Sequence, residues 1–177
     1  MTASQAQAAP GLGRRIAQRL ADALPSARVA LVGTGLWALV NGATAAIGLL
    51  ARDWQDEGAV AIVGLVFAAG AAIAFVPATY LARIVSLGSR TEIRLAAALL
   101  ALSVATIAAT ALVFALQYRL YYAQWHADFP SITWGFQQFF TTAAAVYQFA
   151  VLGLRLYFPI GFLAIFPFAG WIARQAR

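Results

Sequence analysis

The chain has 177 residues, 63% of them hydrophobic and 10% charged, with a formal net charge of +6. Soluble domains carry about a quarter charged residues, so this composition places the chain in the integral-membrane class. With no cysteine and one histidine, it cannot form disulfides, thiolate metal sites or a bis-histidine haem site. All twelve basic residues are arginines distributed between apolar segments, a pattern that follows membrane topology rather than a nucleic-acid patch.

Residues 1–28 precede the first apolar run. Positions 1–13 are small and polar and read as a disordered cytoplasmic tail. Within 11–24, Leu12, Ile16, Leu20 and Leu24 recur at four-residue spacing opposite Arg14, Arg15 and Gln18. That pattern predicts an amphipathic helix lying on an anionic membrane surface, ended by Pro25. A cleaved signal peptide fits less well, because the run that follows is too long and no small-residue cleavage site precedes a soluble domain.

Residues 29–177 are expected to form one transmembrane domain. A bilayer core about 30 Å thick takes about 20 helical residues to cross. Apolar stretches of that length run over 29–51, 59–82 and 95–118. A longer region, 136–173, holds one charge, Arg155, and Pro159. It reads as a long tilted span over about 140–173, with a break near Pro159 left open. The alternative is a short outer helix followed by a span from Leu156. The expected fold is therefore all-α, with four transmembrane helices and no barrel alternation.

Arginines beside the spans set the orientation. Arg14, Arg15, Arg19, Arg28, Arg83, Arg90, Arg94, Arg174 and Arg177 fall on one side, and Arg52 and Arg119 on the other. Both termini are accordingly expected in the cytoplasm of a bacterial cell, with the chain in its inner membrane. Trp54, Trp125 and Trp134 mark the outer interface and Trp171 the inner one.

Glycine and alanine crowd the first three spans, which suits close helix packing in lipid, inside the chain or against another protein. Little chemistry is legible. No phosphate-binding glycine loop, metal-ligand spacing or nucleophile–base pair occurs, so the chain reads as a non-enzyme without cofactor, metal or nucleic-acid partner. Asp53, Asp56 and Glu57 read as a solvated turn. His126 reads as a residue at headgroup level, and Asn41 as a hydrogen-bonding group in mid-span. Arg155 has no carboxylate inside any span to pair with, which points to another subunit, a lipid phosphate, or snorkelling. The candidate partner contacts are Arg155, Trp54, Glu57, Gly70 and Asn41.

Trp54-Gln55-Asp56-Glu57, with Gly70-Ala71-Ala72 deeper in the second span and Pro159-Ile160-Gly161-Phe162 in the last, resembles the small membrane subunit of tripartite ATP-independent periplasmic (TRAP) transporters. The resemblance implies an auxiliary four-helix subunit that scaffolds a larger permease for a small organic anion and helps dock a periplasmic binding protein. The residues themselves leave two other readings open. One is an accessory or assembly subunit of another inner-membrane complex, respiratory or photosynthetic. The other is a lipid- or quinone-active enzyme using the aromatic outer loop.

Overall fold

The structure, a computed structural model, describes residues 12–54 and 56–175. The part of the tail over 1–11 that reads as disordered lies outside the described residues. Six helices account for most of the chain: α1 (Leu12–Asp22), α2 (Ala27–Leu50), α3 (Glu57–Ser86), α4 (Thr91–Tyr122), α5 (Ile132–Gln148) and α6 (Ile160–Gln175). No strand occurs among the described residues.

Four helical stretches are long and apolar enough to cross a membrane: Ala27–Leu50, Glu57–Ser86, Thr91–Trp125 and Ile132–Tyr157. Helix starts follow local chemistry. The Ser26 hydroxyl accepts from the Val29 amide (3.4 Å), the Asp56 carboxylate from Ala59 (3.1 Å), and the Ser131 hydroxyl from Trp134 (3.1 Å). Each satisfies one amide that the first helical turn leaves open. The three long helices form an antiparallel bundle with outward faces of large apolar residues, including Leu39, Leu65 and Leu100, each about two-thirds exposed. Inside, small and polar side chains pack around a few large ones, Trp37, Phe75 and Leu102 among them.

Glycines set the interhelical distances. Gly42 backs onto the Gly64 carbonyl and Ala68, joining α2 to α3. A Cβ on Gly70 would fall on Thr110, so α3 and α4 touch backbone to side chain there. Gly33 gives its space to the Phe75 ring and Trp171. Two cores result. One gathers Trp37, Phe75, Leu102 and Ile172 toward the end of the bundle where α2 begins and α6 ends. The other gathers Leu49, Phe67, Phe149 and Leu156 toward the opposite end. In the first, the Trp37 Nε1–H donates to the Thr106 hydroxyl (3.0 Å) while its ring packs on Phe168 with centroids 4.8 Å apart.

The region expected to be one span over 140–173 is divided. α5 ends in a π-helical turn (Phe149–Gly153), a 3₁₀ turn (Leu154–Tyr157) follows, and α6 restarts at Ile160. Pro159 explains the restart: it has no amide hydrogen, and Phe158 before it is held extended at φ −95°, ψ 140°. α5, the irregular turns and α6 together return past α4, and α6 brings Trp171 back beside Gly33 near the start of α2. At that end Arg83 is buried, and its Nη1 donates to the Leu24 carbonyl (3.1 Å), fastening the chain after α1 to α3.

The glycine contacts make a paired prediction. Gly70→Ala should lower unfolding stability in detergent by about 1–3 kcal/mol, because α3 and α4 must separate. Gly35→Ala, with nothing within 4 Å of the new methyl, should be neutral or stabilising by up to about 1 kcal/mol. Thermal unfolding of the two variants measures the contrast, and equal shifts would refute close approach as the reason for Gly70.

Candidate functional site

The second core is capped by a cavity of about 580 Å³. Every long element contributes a wall: α2 through Leu49, α3 through Ile62 and Phe67, α4 through Phe114 and Tyr118, and the π and 3₁₀ turns through Phe149 and Arg155. The floor is aromatic. Phe149 lies between Phe67 (centroids 6.1 Å apart) and Phe114 (6.2 Å), and Tyr157 packs on Phe67 at 4.9 Å. The π turn shapes this floor, because at Gly153 even a methyl group would collide with the Phe149 ring one turn earlier. π turns insert a residue into the helical repeat and concentrate at functional sites. Around the mouth stand Arg52, Arg155, Trp54, Tyr122, Gln117 and Gln148. Arg52 also donates through Nη1 to the Gly48 carbonyl, closing its own helix end.

Beyond the cavity, α5 is polar on its packed side and apolar on its exposed side. The Gln137 Oε1 accepts from the Ala127 amide (2.8 Å) and the Gln138 Nε2 donates to His126 Nδ1 (2.8 Å). His126 Nε2 lies 3.2 Å from the Thr141 hydroxyl, so the ring joins two side chains of α5. Farther along, the Gln148 Nε2 donates to the Tyr118 hydroxyl (3.3 Å). On the other face, Ile132 (83%), Phe136 (62%), Phe139 (67%) and Phe140 (64%) are exposed. A water-facing helix has the reverse arrangement.

The five residues expected to contact partners separate into two groups. Arg155 and Trp54 are exposed and line the same cavity mouth, and Glu57 is exposed in the first turn of α3. Gly70 and Asn41 are inside the bundle. Gly70 is occupied by Thr110, and Asn41 is 1% exposed with its Nδ2 donating to the Trp37 carbonyl (2.8 Å). Both are therefore packing positions here, with no surface to offer. The Asn41 Oδ1 has no hydrogen-bond partner among the described residues. Asp56 is spent on its helix cap, and no group of three His, Asp or Glu side chains gathers for a metal among the described residues. Arg52 belongs to the site although sequence reading assigned it to topology alone; its juxtaposition with Arg155 spans 103 positions and leaves no local signal.

The chain matches no protein-family model, and comparison with curated proteins and with solved structures finds no match.

His126 is the tie that holds α5. Replacing it with leucine removes two hydrogen bonds, which should speed amide exchange over 127–141 by about tenfold while leaving α2 and α3 unchanged. Hydrogen-exchange mass spectrometry reads this directly; uniform acceleration, or none, would refute the role.

Proposed function

We propose that the chain is a non-catalytic small subunit of a solute transport complex in a bacterial inner membrane, scaffolding a larger permease in the manner of the TRAP small subunit. The observation that carries this reading is the aromatic face of α5. α2, at 24 residues, is about 36 Å long, so Arg28 and Arg52 bracket it at a spacing that suits a hydrocarbon layer of about 30 Å. Arg119, Asp53, Glu57 and Asp128 stand with Arg52 near one end of the bundle, and Phe136, Phe139 and Phe140 extend from α5 beside His126 at that same end. Phe136, Phe139 and Phe140 form an aromatic face that no element of the chain covers among the described residues. A protein surface covers it in the proposed complex.

In this reading the return from α5 through α6 makes the fourth crossing, with α5 at its outer end, both termini cytoplasmic on the arginine-rich side and α1 lying on the anionic inner leaflet. The outer position of α5 leaves it free to meet a permease, and Trp54 and Glu57 free to meet a periplasmic binding protein. The motif positions that suggest the TRAP family do structural work as well: Asp56 caps α3, Gly70 admits Thr110, and Gly161 packs on Thr44. Support for a partner therefore rests on α5 rather than on them.

Mild-detergent purification of the tagged chain, followed by mass spectrometry, tests the proposal. The expected result is co-purification of a larger multi-span protein, lost when Phe136, Phe139 and Phe140 are all changed to serine while the chain stays folded. A permease as partner supports transport. Redox-complex subunits would replace it with the accessory-subunit reading, and recovery of the chain alone would refute both.

A further inference from the structure

The cavity beneath Arg52 and Arg155 is distinct from the α5 face and has its own chemistry. Its volume of about 580 Å³ lies within the range of about 300–1,000 Å³ typical of ligand sites. Its lip toward the side of the bundle is apolar and open, with Ile62 49% and Leu152 56% exposed. A hydrocarbon chain can therefore enter from the bilayer and lie on the aromatic floor without crossing polar surface.

The charge at the mouth is one-sided. Among the described residues two guanidiniums line the cavity and no carboxylate does. Arg155 makes no side-chain hydrogen bond or ion pair among the described residues, and Arg52 has only the Gly48 carbonyl. Arg52 Nη1 lies over Gly48, 3.3 Å from where a methyl would stand, and Leu156, the residue after Arg155, lies 3.4 Å from the same point, so both arginines stand on the wall shared by α2 and the 3₁₀ turn. Two guanidiniums lining one cavity favour an anion there, and their fork geometry suits phosphate oxygens.

We propose that this cavity binds an anionic glycerophospholipid of the outer leaflet, with its phosphate between Arg52 and Arg155 and one acyl chain on the Phe67, Phe114 and Phe149 floor. A soluble anion would leave the sideways lip and the floor unused. A quinone, being neutral, would leave both guanidiniums without counter-charge.

The test uses the full chain, purified alone and offered equimolar phosphatidylglycerol and phosphatidylcholine, with retained lipid read by native mass spectrometry. Phosphatidylglycerol should be retained in preference, and Arg52→Gln or Arg155→Gln should each cut the preference about fivefold. Arg119→Gln, on an exposed arginine outside the cavity, should leave it unchanged. Leu152→Trp keeps both arginines and obstructs the lip, so it should reduce retention of both lipids; this holds the proposal open to refutation even if an arginine variant fails to fold. Equal retention of the two lipids by the unmodified chain would overturn the proposal. So would an Arg119→Gln effect as large as that of Arg155→Gln, or displacement of the lipid by millimolar inorganic phosphate. Because the measurement is made on the isolated chain, it is independent of whether a permease partner exists.

Discussion

Helices surrounded by lipid gain little from burying apolar surface, because the lipid is as apolar as the side chains that would be buried. Association then depends on how closely backbones approach and on the few hydrogen bonds available between helices. In this chain close approach is concentrated at Gly42 against Gly64 and Ala68, at Gly70 against Thr110, and at Gly33 beneath Phe75 and Trp171. These contacts hold α2, α3 and α4 in register, and the register sets what each end of the bundle displays. Moving α4 outward at Thr110 would also move Phe114 and Tyr118, one and two turns farther along, which form a wall of the cavity.

The same constraint explains where the polar residues go. Trp37 and Thr106 satisfy one another inside the bundle, and Thr44 and Ser103 return their hydroxyls to carbonyls of their own helices at 2.7 Å. Each arrangement hides a polar group from lipid without requiring a charged partner. Arg83 follows another route. It is buried at the end of α3 yet spends its guanidinium on the Leu24 carbonyl, in the turn that follows α1. That bond connects a surface helix to the bundle, so this arginine serves packing as well as topology.

The three long helices were legible because twenty-residue apolar runs and the charged turns between them are local signals. A helix runs over 12–22, within the segment where leucines and an isoleucine recur at four-residue spacing. The break at Pro159 could be placed, since proline acts on its immediate neighbours, but the π turn at 149–153 could not. It arises where Phe149 must reach the Phe67 and Phe114 rings and Gly153 must clear it, a tertiary requirement with no sequence period. The inverted polarity of α5 had a trace in Gln137, Gln138, Thr141 and Gln148, which share one helical face. Apolar composition concealed it, because hydropathy averages over faces. Asn41 and Gly70 were read as available to partners because composition cannot distinguish a small or polar residue used within a bundle from one left on its surface.

The irregular turns also explain how one return strand of the chain serves two surfaces. Residues 132–175 would be about 66 Å long as a straight helix, roughly twice the hydrocarbon thickness. Had α5 continued unbroken into α6, a single helical face would have had to serve the His126 network, the aromatic core and the contact with α2 in one repeat. The π turn rotates the faces relative to one another, and Pro159 releases the second half to start afresh. α5 can then turn its glutamines inward and its phenylalanines outward, while α6 sets Gly161 against Thr44 and Ala169 and Ile172 into the first core. The short 3₁₀ stretch left between them carries Arg155. That arginine is exposed and lines the cavity, as Arg52 does, so the bundle presents positive charge around an apolar interior.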